Sequence, residues 1–143
     1  MLDDLGIFYS TIKHQTSGLC LQAKYIRVQA VSTSQVDDHV LWTRSWDGYL
    51  ENKGTGKFLC SNGDIVQMCS NSACHREHRW KLDSRGIIHR VTNTVLILTA
   101  RGSVGMKPFA SARKQDIFEK HKIIRKCKFG SKCRNQRIFK LIH

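Results

Sequence analysis

Proline is almost missing from this chain. Pro108 is the only one in 143 residues, which excludes proline-rich linkers and polyproline segments. Acidic side chains are also scarce, with 11 Asp and Glu against 24 Lys and Arg. No apolar run reaches the roughly 18 residues that a membrane-spanning helix needs. The stretch Met1-Leu2-Asp3-Asp4 has no basic region followed by an apolar one, so it does not read as a signal peptide. Catalytic signatures are missing too: the chain has no GxSxG elbow, HExxH pair, P-loop or GxGxxG. Asp37 and Asp38 sit beside His39 in what reads as an ordinary loop. Nothing marks two acids with the opposed environments that a hydrolase needs. The expectation is a non-enzymatic chain without a cofactor.

What is present is a repeat. Trp42, Trp80 and Phe118 are spaced by 38 residues. The same shift of 38 carries Gly48 onto Gly86, Cys60 onto Leu98, Val66 onto Val104 and Met68 onto Met106. The first copy is looser: Gly6, Cys20 and Val28 precede Gly48, Cys60 and Val66 by 42, 40 and 38. Each unit holds short apolar runs divided by clusters of Gly, Asn and Asp, with no sustained helical period, which predicts strands. Three units of four strands predict an all-β fold, a β-trefoil of three repeats of about 38 residues with a short basic C-terminal tail. The boundaries expected are 1–121 for the trefoil and 122–143 for the tail. A competing alignment ends the third unit at Arg137-Ile138-Phe139, but it needs a long structureless insertion. The three large aromatics are expected in the core, around the threefold axis.

The charge is uneven. Residues 1–118 carry 15 Lys and Arg against 10 Asp and Glu, whereas residues 119–143 carry 9 against 1. The tail cations are Lys120, Lys122, Arg125, Lys126, Lys128, Lys132, Arg134, Arg137 and Lys140. Such a block attracts polyanions: acidic or sulfated glycans, nucleic acid or acidic membranes. Its only aromatics are Phe129 and Phe139, so base stacking on nucleic acid has weak support. A solvated tail without a specific partner is the plain alternative.

Six cysteines, an even number, fit an oxidising, extracellular setting and up to three disulfides. Cys127 and Cys133 could close a local loop, and the pairing of Cys20, Cys74, Cys127 and Cys133 stays open. Cys69-x4-Cys74-His75-x2-His78 offers metal-ligand types within ten residues, but at no familiar zinc spacing. The histidines read as exposed loop residues.

The segments before the repeat aromatics, Val40-Leu41-Trp42, His78-Arg79-Trp80 and Asp116-Ile117-Phe118, resemble the QxW motif of ricin-type lectin repeats, without its glutamine. Gly6-Ile7-Phe8, Cys20-Leu21-Gln22-Ala23, Phe58-Leu59-Cys60 and Arg79-Trp80-Lys81 are most similar to the cysteine-rich N-terminal domain of the mannose receptor family, which includes the secretory phospholipase A2 receptor. The resemblance covers about residues 5–121. It implies a Cys60–Cys69 disulfide within unit two. Val31 replaces the cysteine partner that Cys20 would have in unit one.

The resemblance also implies sugar loops, each with an Asp after Cys-Leu and a stacking aromatic. The Asp position holds Gln22 in unit one, lies near Asn62 in unit two, and holds Thr99 in unit three. Where the mannose receptor domain places a stacking aromatic for sulfated sugar, the chain reads Ser111-Ala112-Arg113-Lys114-Gln115. Arg113 and Lys114, with Arg101 and Lys107 before them, could give charge-assisted hydrogen bonds to sulfate. Tyr25 and His75 are further exposed candidates. The reading is a lectin-like module for acidic or sulfated glycans. A protein-interaction trefoil with decayed sugar sites and a heparin-binding, cytokine-like trefoil are the alternatives.

Overall fold

Trp42, Trp80 and Phe118 each begin a strand. The computed structural model describes residues 8–32, 37–45, 47–70 and 78–125, with side chains as far as Lys120. Gly6, Cys74, His75, Cys127, Cys133 and the tail beyond Arg125 lie outside the described residues. The described residues form twelve strands: β1 (Phe8–His14), β2 (Cys20–Lys24), β3 (Arg27–Val31), β4 (Trp42–Arg44), β5 (Leu50–Asn52), β6 (Phe58–Ser61), β7 (Val66–Cys69), β8 (Trp80–Asp83), β9 (Gly86–His89), β10 (Thr94–Leu98), β11 (Val104–Pro108) and β12 (Phe118–Arg125).

Antiparallel pairing runs β3-β2-β1-β4-β5-β6-β7, with β12 also on β1, and β11-β10-β9-β8 forms a second ladder. The bridges Tyr49 to Arg79 and Ile97 to Ile117 join the two. Strands β1, β4, β5, β8, β9 and β12 make the barrel, and the hairpins β2–β3, β6–β7 and β10–β11 cap it. This is a β-trefoil. The last strand continues to Arg125, opposite Phe8, so the trefoil extends past the expected boundary at residue 121. Asp38–Val40, expected as plain loop, forms a 3-10 turn capped by the Asp37 side chain.

The core repeats in threes. Trp42, Trp80 and Phe118 are fully buried, as are Ile12, Leu50 and Ile87, and Leu21, Leu59 and Leu96. Burying such side chains stabilises by about 1.5–3 kcal/mol each. A second set of three lies in the turns that follow β1, β5 and β9. Ser17 N–H donates to His14 Nδ1 (3.1 Å) and Thr55 N–H to Asn52 Oδ1 (3.0 Å), while His89 Nδ1 pairs with Thr92 Oγ1 at 2.7 Å. Each turn closes through a backbone bond, from Gly18, Gly56 and Asn93 to the carbonyls of His14, Asn52 and His89. All three closing residues have positive φ, which Gly and Asn tolerate best.

The strand pairing corrects the alignment of the cysteines. Leu21 lies opposite Ala30, and Leu59 opposite Met68, so Leu21 and Leu59 are equivalent. Cys20 therefore stands where unit two has Phe58, and Gln22 where unit two has Cys60. In unit three Leu96 lies opposite Met106, which places Ile97, rather than Leu98, in the position of Cys60. The cause is one extra residue in the turn of the third hairpin. Six residues, Ser61 to Val66, span the end of hairpin two, and seven, Leu98 to Val104, span that of hairpin three.

Candidate functional site

Each capping hairpin has one residue of positive φ at its tip: Tyr25 (55°), Gly63 (98°) and Gly102 (84°). Glycine enters this region without penalty. A bulky side chain there costs about 1–2 kcal/mol. Tyr25 stands there nonetheless, 81% exposed, with Ile26 at 56% beside it.

A cleft of about 320 Å³ opens next to Tyr25, lined also by Lys24, His39, Gly54, Thr55 and Lys57. Its back wall is built by unit two. Asn52 Nδ2 donates to the His39 carbonyl at 2.9 Å, and Gly54 N–H donates to the Asp38 carbonyl at 2.9 Å. Gly54 lies so near the imidazole that a Cβ would come within 2.7 Å of the ring. Lys53 is neutralised by Asp38 at 3.1 Å. Among the described residues, Lys24 and Lys57 have no carboxylate partner. The cleft thus combines an exposed aromatic face, two unneutralised ammonium groups and an imidazole.

A second cleft, of about 300 Å³, is lined by Cys60, Ser61, Asn62, Ile65, Gln67, Cys69 and His78. The Cys60–Cys69 disulfide forms, with a Cα–Cα distance of 6.2 Å. It runs diagonally, since Cys60 faces Gln67 and Cys69 faces Phe58. Asn62 Oδ1 accepts from the backbone N–H of Asp64 (2.9 Å) and of Ile65 (3.0 Å), so it holds the turn closed. The ligand atoms of Cys60, Cys69 and His78 lie within 4.8 Å of one another. The two sulfurs are bonded to each other, so this group has no thiolate to offer a metal. His78 is buried, not the exposed loop residue expected.

The four unit-three cations do not all meet at one site. Arg101 lies at the tip of the β10–β11 hairpin, whereas Lys107 stands near its base, opposite Val95. Lys107 and Arg113 both face Asp116, at 3.8 and 3.4 Å. Partial burial works against ionised Asp116, yet hydrogen bonds from Arg113 and the charges of Arg113 and Lys107 hold its carboxyl below the ordinary range. Lys114 is exposed on a 3-10 turn. Thr99 bonds Ser103 Oγ across the hairpin tip. In unit one Gln22 is buried, its Oε1 accepting from Gln29 Nε2 at 2.6 Å. Of the sequence-derived candidates among the described residues, only Tyr25 lines the cleft of unit one. Lys24, His39 and Lys57 had no signal beyond their charge, because the turn of unit two brings them together.

No protein-family model matches the chain, and no curated protein matches it. Solved structures do. The C-half of the earthworm R-type lectin, solved with GalNAc, superposes with a TM-score of 0.62 at 12% identity, over 80% of this chain and 100% of the lectin. The agglutinin of Abrus precatorius gives 0.66 at 16% identity, over 78% of this chain and 46% of its own. A Clostridium perfringens endo-β-galactosidase that releases GlcNAcα1-4Gal gives 0.64 at 15%, over 78% of this chain and 32% of the enzyme. The chain therefore spans about a third of that enzyme and about half of the agglutinin. At these identities the likeness establishes the fold: this chain has the β-trefoil architecture of ricin-type lectin domains.

Proposed function

We propose that the chain is a non-catalytic carbohydrate-binding module for acidic or sulfated glycans, acting through the cleft at Tyr25. The single observation that carries this reading is the exposed tyrosine held at positive φ beside Lys24 and Lys57. A tyrosine ring packs against the C–H face of a sugar. The two ammonium groups and His39 supply donors for a carboxylate or sulfate ester. The resemblance to the mannose receptor cysteine-rich domain supports a sulfated ligand, and the neighbouring folds solved with GalNAc, 6'-sialyllactose and α-methyl-D-galactoside support a sugar. Lys107 and Arg113, being engaged by Asp116, take a lesser part, and the tail cations add affinity without selectivity.

A glycan array probed at low and high salt tests this reading. Sugar-selective binding that survives high salt is the expected result. Binding to every polyanion that vanishes together as salt rises would leave only charge.

One observation favours a second reading, a protein-docking surface. Ile26 and Ile65 are exposed at the tips of adjacent hairpins. Those hairpins meet where Met68 N–H donates to the Ile26 carbonyl at 3.0 Å. An array without hits would favour it.

A further inference from the structure

Two residues beyond each repeat aromatic the chain places Arg44, Leu82 and Lys120. Trp42 lies opposite Ser10, four residues before β1 turns towards its hairpin. Arg44 lies further from that turn, at the barrel end away from the hairpins. A closed barrel end calls for three apolar residues here, and only Leu82 is one. Two clefts, of about 260 and 320 Å³, share Arg44, Leu82 and Lys120 in their walls. Tyr9, Ser10 and Thr43 add hydroxyl groups to the first.

Some cations of the described residues are neutralised, and others, Lys24 and Lys57 among them, are not. Lys53, Lys81, Arg85, Lys107 and Arg113 each lie within 4 Å of a carboxylate. Among the described residues, Arg44 and Lys120 do not. Arg44 is held in place by its Nε–H, which donates to the Trp80 carbonyl at 3.3 Å, so its two terminal nitrogens are positioned but uncommitted. Asp83, on the rim, is already taken by Arg85 and Lys81. Glu119, also on the rim, can accept from a hydroxyl. A guanidinium and an ammonium beside hydroxyl groups match a tetrahedral oxyanion, and a free carboxylate beside them matches a hydroxylated carrier. Cations that merely cover the barrel end with their aliphatic stems are the plain alternative.

We propose that the barrel mouth is a second ligand site, for a small hydroxylated molecule carrying a phosphate or sulfate ester. It is independent of the cleft at Tyr25. The test is an NMR titration of the full chain at physiological salt with glucose 6-phosphate, glucose 6-sulfate, glucose and inorganic phosphate. Saturable shifts are expected around residues 44, 82 and 120, with an ester binding more tightly than glucose or phosphate alone. The tighter of the two esters identifies the anion. Lys120→Gln, an exposed change that leaves the Arg44 bond intact, should weaken ester binding about tenfold, the loss of one charge-assisted contact. Exchanging Lys24 and Lys57 for Gln should leave it unchanged while weakening any acidic glycan. Shifts that do not saturate, shifts confined to residues beyond 125, or full ester affinity in Lys120→Gln would overturn the proposal.

Discussion

The indole N–H of Trp80 donates to the carbonyl of Leu59 at 2.9 Å, and both residues are fully buried. The bond from Trp42 to Leu21, at 3.0 Å, spans the same 21 residues of sequence. Each indole thus ties a barrel strand to the first strand of a hairpin, and Phe118 keeps the packing without the bond. Trp80→Phe should cost about 1–2 kcal/mol, from lost volume and an unanswered carbonyl, and Trp80→Ala about 3–5 kcal/mol. Urea denaturation read by the remaining tryptophan fluorescence distinguishes the two. Equal losses for Phe and Ala would assign the whole effect to the hydrogen bond.

The Cys60–Cys69 bridge closes a short loop, with a sequence separation of 9. Replacing both cysteines by Ala should lower stability by about 2–3 kcal/mol, the chain-entropy value for such a loop. The strand spectrum should survive, because Leu59 and Met68 still pair across the hairpin in the core. Collapse of the fold in the double variant would show the bridge to be a requirement for folding.

Tyr25 separates stability from binding. Tyr25→Gly relieves a positive φ that tyrosine resists and adds the backbone entropy of glycine, effects of about 1 kcal/mol that oppose each other. The melting temperature should therefore hardly move, while glycan binding falls. Unchanged glycan binding in this variant would remove the tyrosine from the site.

Asp83 gives a pH signature. The Arg85 side chain and then the Arg85 backbone N–H hydrogen-bond its carboxylate, holding its pKa below the ordinary value. A folded pKa below the unfolded value of about 3.9 means stability that is present above that value and lost as pH falls through the folded pKa. The stability difference between wild type and Asp83→Asn should be constant at neutral pH and shrink on the acid side. Parallel stability curves down to the acid limb would rule this out.

The periodic part of the fold was legible because aromatics and aliphatics that face one core must recur with the unit. The disulfide was legible through resemblance. What could not be read was chemistry that repeats in role but not in type. His14, Asn52 and His89 share only a polar side-chain atom aimed at the following turn. Cys20 and Cys60 look equivalent but occupy different rungs, since a cysteine in a strand carries no mark of its partner. The candidate site was least legible. Lys24, His39 and Lys57 belong to two units, and the bonds from Asn52 and Gly54 to the His39 and Asp38 carbonyls, with the packing of Gly54 against His39, bring them to one cleft.

The seam of the barrel joins β1 to β12, with Phe8 opposite Arg125. Nearly the whole described chain lies between those partners, so the loop entropy must be met before this ladder returns any hydrogen bonds. During synthesis, β1 has its neighbours β2 and β4 long before β12 exists. Until residue 125 has been made, its far edge stays exposed to other chains, the circumstance in which nascent β proteins aggregate. The sealing strand is also the one in which the basic run begins, with Lys120, Lys122 and Arg125. Once that strand is made, its like charges disfavour pairing between the β12 strands of two copies whose seams have not yet closed.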